Sequence, residues 1–200
     1  MRGLSATSGK VVIALKKSLA CLLFLCLLLT ACARGESPLQ SAVDFRAGLI
    51  SAGGCTFRAE VRADFGSFVQ DFVLDCDVRS DGTARLCVVS PETIAGICAT
   101  VTESGGKLEY DGLALDFGLL ANGNVSPVAA PALAAAGWME AFISAAGADG
   151  EYYHASYLKN YDEKEILIDT WMKNGVPFCV ELCYNNQRIL RMNLSDFKLH

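Results

Sequence analysis

The chain has 200 residues, of which 52% are hydrophobic and 20% are charged, with 17 Lys and Arg against 22 Asp and Glu. This length is enough for one domain with its own apolar core, without support from a metal ion or disulfides. The formal net charge of −5 argues against nucleic acid or anionic lipid head groups as the main partner, because both select basic surfaces.

The first 31 residues are predicted to be a secretory signal peptide. Basic residues precede an apolar run from Leu19 to Leu29, which is shorter than the about 20 residues that span a bilayer. The run ends in Leu29-Thr30-Ala31-Cys32. This block resembles the bacterial lipobox, in which diacylglycerol alkylates the cysteine and the signal is cut before it. Cys32 is therefore the predicted lipidation site, and the alternative is an ordinary cleaved signal followed by a free cysteine.

Cleavage before Cys32 leaves a mature chain with a formal charge of −9, because the signal holds four of the basic residues and none of the acidic ones. Residues 32–37 are predicted to form a short lipidated tether, and residues 38–200 a single domain. The acyl chains on Cys32, at about 0.8 kcal/mol for each buried methylene, attach the protein to the membrane. We expect an extracytoplasmic location, at the outer face of the cytoplasmic membrane if the host is Gram-positive.

The domain begins with a predicted helix of about four turns, near residues 38 to 52. Ser37-Pro38 is typical of an N-cap followed by the first helical position, and Gly53-Gly54 ends the helix. The apolar residues at helical spacing are Leu39, Ala42, Val43, Leu49 and Ile50. They indicate an amphipathic helix that packs on a sheet.

Two strongly alternating strands follow this helix. Odd positions are apolar from Cys55 to Phe65, and the parity reverses after Gly66, where Cys76 joins the apolar set. The apolar faces match only if paired residue numbers sum to an odd value. A two-residue Phe65-Gly66 loop satisfies this rule and places Cys55 opposite Cys76. We expect these two thiols to be adjacent and buried, within the range of a disulfide.

At the next turn, Ser80-Asp81-Gly82, the paired residue numbers must sum to an even value, because the return strand carries apolar residues at even positions. A three-residue loop with Gly82 in the left-handed region satisfies it. This register sets Cys76 against Leu86 and points Cys87 outward with Arg85.

The rest of the chain predicts further antiparallel strands around a helical insert. Short alternating segments with frequent turns continue to Phe117. An Ala-rich stretch with Trp138 then predicts one broken helix or two short ones, near residues 127 to 146. Strand patterns return at 151–157, 166–172, 178–184 and 189–194.

This order of elements predicts an α+β fold. Its main element is a strongly curved antiparallel sheet, an unclosed β-barrel, of about 8–11 strands, with the helices lidding the concave face. A sheet with one apolar face needs such a cover.

At this level the sequence resembles lipoproteins of the LolA/LolB/LppX class, in particular the clostridial, GerS-like ones. The matching features are the lipobox, the first helix, the Pro91-to-Gly112 hairpin, the insert after Asn124-Val125-Ser126-Pro127, and the ending from Gly175-Val176-Pro177 through Glu181 to Asn193-Leu194-Ser195-Asp196-Phe197. The resemblance covers nearly all of the mature chain. It implies an apolar cavity under the helices, a role in carrying lipids or lipoproteins or in binding a protein partner, and no catalytic residues or cofactors.

The same resemblance suggests that some apolar residues line a ligand cavity, although most of them serve simply as core. The candidates are Phe57, Phe72, Leu74, Trp138, Phe142 and Met192.

Candidate chemistry outside this cavity is sparse. His154 is the only histidine inside the mature domain, since His200 is terminal. No His-based triad or zinc site can therefore be assembled, and we predict that His154 is a hydrogen-bonded structural residue. Asp71, Asp75 and Asp77 lie along one side of a strand, which indicates a solvated polar face in preference to a cation site.

The cysteines give no metal motif. Cys179 and Cys183 are separated by four strand residues, or about 13 Å, which is too far for one ion. Cys87, Cys98 and Cys179 fall on the polar side of their strands by parity, and no spacing indicates a disulfide framework. The redox state of the six mature-domain cysteines stays open.

Two function classes remain. The first is a non-enzymatic, membrane-anchored lipoprotein that binds an acyl chain, a lipid, a lipoprotein or a protein partner through its concave face, with a germination or envelope role. The second is an extracytoplasmic hydrolase or thiol-redox protein with an unrecognised site. The sequence favours the first, because it contains no recognisable set of nucleophile and base.

Overall fold

The computed structural model describes residues 37–64, 69–102, 105–110, 112–117, 120–121, 124–161, 164–184 and 187–200. The signal segment, Cys32 and the predicted Phe65-Gly66 turn therefore lie outside the described residues. No helix in these ranges is long and apolar enough to span a membrane.

The described chain contains two α-helices, a short 3-10 helix and a series of strands. The helices are α1 (Pro38–Ser51), the 3-10 helix (Glu92–Ile94) and α2 (Ala130–Glu140). The first six strands are β1 (Gly54–Asp64), β2 (Val69–Arg79), β3 (Ala84–Ser90), β4 (Cys98–Thr102), β5 (Gly105–Tyr110) and β6 (Leu113–Phe117). The others are β7 (Leu120–Ala121), β8 (Asn124–Val125), β9 (Phe142–Asp149), β10 (Tyr152–Tyr161), β11 (Lys164–Lys173), β12 (Val176–Tyr184) and β13 (Gln187–Leu199).

Eleven of these strands form one antiparallel sheet in the order β6-β5-β4-β3-β2-β1-β13-β12-β11-β10-β9. The sheet consists of two meanders joined where the first strand, β1, pairs with the last, β13. It does not close, because β6 and β9 are its two edges, and β7 and β8 form a separate ribbon. The predicted α+β fold with an unclosed antiparallel sheet is confirmed.

Helix α1 begins as predicted, but its buried face differs from the predicted one. Ser37 is the N-cap, and its side chain accepts a hydrogen bond from the backbone N–H of Gln40 at 3.1 Å. The buried residues are Ala42, Phe45 and Leu49. Three residues of the predicted apolar set, Leu39, Val43 and Ile50, are exposed. The buried face is centred on Phe45, whose aromatic ring packs on α2 and the sheet.

The helix predicted near 127–146 is wrong in its second half. Helix α2 ends at Glu140, Ala141 has an extended conformation, and Phe142–Asp149 forms the edge strand β9. Ala, Gly and Ser dominate β9, so its composition does not indicate a strand. Backbone pairing with β10 determines its structure. Phe142 is consequently 71% exposed on β9.

The predicted register of the second hairpin is confirmed. Cys76 pairs with Leu86, and Gly82 has a φ of 82° in the turn between β2 and β3. The backbone N–H of Arg79 donates to the carbonyl oxygen of Thr83 at 2.8 Å, which closes a three-residue loop.

The predicted register of the first hairpin is wrong by two residues. Cys55 pairs with Val78, and Phe57 with Cys76. The last pair among the described residues is Asp64 with Val69, whereas a two-residue Phe65-Gly66 loop requires Asp64 to pair with Ser67. A shift of two leaves every side chain on its predicted face. Cys55 and Cys76 are thus both buried but not opposite each other, and both thiols are free.

We predict that Gly54→Ala lowers the free energy of unfolding by about 3 kcal/mol or more. Gly54 has a φ of +136°, and a Cβ there would lie 2.0 Å from the carbonyl oxygen of Val78. Gly53→Ala is the matched control, because its Cβ would meet open space at a φ of +83°, and it should cost about 1–2 kcal/mol. Urea denaturation compares the two variants, and equal costs would contradict the close approach.

Candidate functional site

The candidate site is the apolar side of the eleven-stranded sheet that packs against α1 and α2, which we call the covered face. It holds the main hydrophobic core of the domain. Five of the six predicted cavity residues lie here. Leu74, Trp138 and Met192 have no exposed surface, Phe57 is buried, and Phe72 is partly buried against the core.

Phe142 is the exception, because it lies outside the covered face on the exposed edge strand β9. The prediction that Phe142 lines the cavity assumed that the helix continues past this residue, whereas α2 ends two residues earlier. The presence of a ligand cavity among the other five residues stays a prediction.

An aromatic cluster holds the centre of the covered face together. Phe45 of α1, Phe57 of β1 and Phe197 of β13 surround Trp138 of α2, with ring centroids between 5.7 and 6.3 Å from the indole. Phe45 and Phe197 are missing from the sequence prediction. Phe45 is detectable in the sequence, because Ala42, Phe45 and Leu49 share one helix face at three- and four-residue spacing. Phe197 becomes a neighbour only because β13 extends to Leu199.

Helix α2 is an apolar insert that is buried along most of its length. Nine of its eleven residues are buried. At Gly137 a Cβ would lie 2.3 Å from Cδ1 of Ile168, so the glycine allows the helix backbone to approach β11 closely. The indole N–H of Trp138 donates to the Thr170 hydroxyl at 2.9 Å, and both residues are fully buried. This bond satisfies two polar groups that would otherwise be costly to bury.

Helix α1 buries a much smaller share of its residues. It buries three side chains and lies mainly against β9 and β10, at one edge of the sheet, with further contacts to β1 and α2. Arg46 provides the polar connection to α2: its Nε donates to the carbonyl oxygen of Trp138 at 2.6 Å, and its Nη2 donates to that of Ala141. A cation at a helix C-terminus is favourable because the last carbonyls lack partners within the helix. The Arg46 guanidinium also lies 5.7 Å from the ring centroid of Tyr157.

The outer face of the sheet carries the remaining polar candidates, and His154 is hydrogen-bonded as predicted. Its Nε2 lies 3.1 Å from Oδ1 of Asp169, the carboxyl oxygen that also accepts a 2.6 Å hydrogen bond from the Ser156 hydroxyl. Burial acts to raise the pKa of Asp169, but the hydrogen bonds from His154 and Ser156 outweigh it and lower the pKa. Ser156 donates its hydrogen bond to the carboxylate and not to the imidazole, so Ser156 and His154 do not form a nucleophile–base pair.

The three aspartates on β2 are paired on the solvated face, as the parity indicated. Asp75 accepts two hydrogen bonds from Arg58, Asp71 lies 3.6 Å from Arg62, and Asp77 lies 3.3 Å from His200. A groove of about 430 Å³ opens on this polar face. Its walls mix both charges, which does not suit an acyl chain. Its lining includes Arg58, Asp75, Asp77, Arg85, Asp196 and Lys198.

One disulfide, between Cys87 and Cys98, joins β3 to β4 on the outer face, with the two Cα atoms 4.1 Å apart. The sequence-based prediction lacked this disulfide, although parity places both cysteines on the polar side. The apolar faces of β3 and β4 match when paired residue numbers sum to an odd value, a rule that allows Cys87 to pair directly with Cys98, as it does.

The remaining described cysteines are free thiols. Burial raises the pKa of Cys55 to about 12, and burial also raises the pKa of Cys76. The pKa values of Cys179 and Cys183 are raised mainly by burial as well. Among the described residues, no three His, Cys, Asp or Glu side chains converge to hold a metal ion.

No family model matches this sequence, and no curated protein matches it. Several solved structures are similar. A LolA superfamily protein from Nitrosomonas europaea is 8% identical, with 83% of this chain and 94% of that chain covered and a TM-score of 0.45. LppX from Mycobacterium tuberculosis is 9% identical (82% and 96% covered, TM-score 0.40), and LprF from Mycobacterium bovis is 13% identical (81% and 95% covered, TM-score 0.38).

We predict that Trp138→Phe and Thr170→Val each destabilise the protein, because each leaves one buried polar group without its partner, at about 1–3 kcal/mol. The double variant removes both polar groups. Its loss of unfolding free energy should therefore be about 1 kcal/mol smaller than the sum of the losses of the two single variants. Chemical denaturation of the four proteins measures this coupling. Strict additivity would show that the 2.9 Å bond does not stabilise the contact between α2 and the sheet.

We predict that Asp169→Asn lowers the free energy of unfolding by about 1–2 kcal/mol at pH 7. The lowered pKa of Asp169 means that its contribution is present above the unfolded pKa near 3.9. It is lost as the pH falls through the lower, folded value. The difference from the wild type should therefore shrink below about pH 4. Asp71→Asn, at an exposed and distant ion pair, should change little at any pH. A difference for Asp169→Asn that does not vary with pH would contradict the assignment.

Proposed function

We propose that this protein is a membrane-anchored, non-enzymatic lipoprotein that binds a hydrophobic ligand, such as an acyl chain, a lipid or the acyl part of a lipoprotein, on its covered face. The observation that carries the proposal is the unequal attachment of the two helices. Helix α2 is buried along nine of eleven residues, whereas α1 buries three of fourteen and borders an open edge of the sheet.

Movement of α1 away from β9 and β10, with Arg46 still bonded to the C-terminal end of α2, would expose part of the covered face without unfolding the sheet. Its two large buried side chains, Phe45 and Leu49, contribute about 1.5–3 kcal/mol each. An acyl chain of about 16 carbons that is buried in their place contributes about 0.8 kcal/mol per methylene, or about 12 kcal/mol. The acyl chain therefore offers more apolar burial than α1 gives up.

A protein partner is the other occupant that the covered face would suit, and the proposal includes a germination or envelope role. The disulfide between Cys87 and Cys98 agrees with an oxidising, extracytoplasmic location. The anchor at Cys32 is part of the proposal, since the lipobox lies outside the described residues.

The enzymatic alternatives have less support. The free thiols are buried or half-buried with raised pKa values, whereas reactive thiols are exposed and have lowered pKa values. Ser156 donates a hydrogen bond to Asp169, and the lowered pKa of Asp169 makes this carboxylate a weak base that does not activate the hydroxyl as a nucleophile.

Native mass spectrometry of the full chain, extracted from its host in mild detergent, tests the proposal. We expect a non-covalent adduct with the mass of an acyl lipid, in addition to the covalent acyl chains, that disappears on denaturation. A stoichiometric protein in its place would assign the covered face to a protein partner. Recovery of the protein with neither companion would contradict both forms of the proposal.

We predict that Cys32→Ala yields a protein that no longer incorporates radioactive fatty acid and is recovered in the soluble fraction. The thiol of Cys32 is the predicted acceptor of diacylglycerol, and no described helix is long and apolar enough to span the membrane. Cys183→Ala is the control substitution, because Cys183 lies within strand β12 of the folded domain. Retention of the label in Cys32→Ala would refute the anchor.

A further inference from the structure

Tyr157 carries an unpartnered polar atom on the covered face. The side chain is fully buried on β10, and its hydroxyl has no hydrogen-bond partner among the described residues. Other polar groups of this face are bonded: the Trp138 indole donates to Thr170, and the Tyr153 hydroxyl donates to Sδ of Met172 at 2.7 Å. Buried polar groups are nearly always paired, so an exception calls for a physical explanation.

The surroundings of this hydroxyl define the chemistry of a partner. Arg46 lies over the Tyr157 ring, 5.7 Å from its centroid. A guanidinium offers several N–H donors and no acceptor; two of them bond the carbonyl oxygens of Trp138 and Ala141, and the others can serve a ligand. Burial raises the pKa of Tyr157, so its hydroxyl keeps its proton and can donate. Two donors, one of them positively charged, call for an oxygen acceptor with negative charge.

The position of Tyr157 fits the polar end of an elongated ligand. It pairs with Ile143 of the edge strand β9 on one side and with Ile168 of β11 on the other. Helix α1 packs over β9 and β10 at this edge. A head group held there would lie near the border of the sheet, while its chain would extend over the apolar residues towards Trp138.

We propose that the Tyr157 hydroxyl and the Arg46 guanidinium bind the head group of an anionic amphiphile, whose carboxylate or phosphate oxygen accepts their hydrogen bonds. The inference rests on the proposed function and narrows its ligand class. The negative net charge of the chain disfavours an anionic membrane surface, whereas a single head group needs only the local positive charge of Arg46. A neutral hydrocarbon or ester with the same chain would leave both donors without a charged acceptor.

Titration of the full chain by native mass spectrometry in mild detergent tests the inference with two matched probe pairs. Hexadecanoic acid is compared with its methyl ester, and palmitoyl lysophosphatidic acid with monopalmitoylglycerol. Within each pair the chain is the same and only the anionic group differs. We expect the wild type to bind at least one acid about 10-fold or more tightly than its neutral counterpart, a ratio typical of a charge-assisted hydrogen bond. Which acid is preferred distinguishes a carboxylate from a phosphate source.

Tyr157→Phe should weaken binding of the preferred acid by about 10-fold and leave the neutral probes unchanged. The thermal midpoint of the free protein should stay the same or rise, because the variant removes an unpartnered hydroxyl and keeps the ring. Tyr152→Phe is the matched control, on the same strand but the opposite face, with its ring 5.0 Å from Phe178. It should bind all four probes like the wild type.

Equal affinity of the wild type for an acid and its neutral counterpart would overturn the inference, and so would unchanged acid binding by Tyr157→Phe. A wild-type protein that binds neutral and acidic probes alike would still satisfy the proposed function. A wild-type protein that binds none of the four probes would contradict the ligand-binding form of the proposed function itself.

Discussion

The eleven-stranded sheet does not close on itself, so its apolar face has to be covered by other elements. Two helices provide this cover, and most other features of the domain depend on how they do so. Helix α2 supplies small residues that let its backbone approach β11, with Trp138 as its large apolar contact. Helix α1 adds Phe45 and Leu49 beside the sheet edge.

The two helices differ in the kind of contact that holds them. Apolar burial and one buried hydrogen bond, from Trp138 to Thr170, hold α2. Helix α1 is held by fewer apolar side chains and by the hydrogen bonds of Arg46 to the C-terminal end of α2. Arg46 therefore joins α1 to α2 next to Tyr157, whose hydroxyl has no partner among the described residues. An amphiphilic ligand beneath α1 would place its chain against the apolar side chains and its head group against these donors at the sheet edge.

The outer face serves a different purpose. Its ion pairs and the bonded trio of His154, Ser156 and Asp169 keep a large sheet surface compatible with water. The disulfide connects β3 and β4 near one end of the sheet, where the covering helices make few contacts. It restricts the unfolded chain and supports that end of the sheet without using space on the covered face.

Parity along the chain determined which side chains share a face, because a strand alternates its faces with a strict period of two. It therefore predicted the antiparallel sheet, the apolar positions and the register across Gly82. It did not determine the register of the first hairpin, because two registers that differ by two residues give the same faces and differ only in which residues are opposite. Cys55 and Cys76 kept their predicted face and lost their predicted pairing for this reason.

Tertiary packing decided the remaining features. Phe142 follows an Ala-rich helix in sequence, and only backbone pairing with β10 makes it part of an edge strand. The aromatic cluster joins residues from the two ends of the domain, because Phe197 meets Phe57 only after β13 pairs with β1. The sequence by itself determined the fold class and the two faces of the sheet, since both follow from local periodicity. The juxtaposition of Arg46, Trp138 and Tyr157 depends on how the helices dock, which is set by contacts between residues that are distant in sequence.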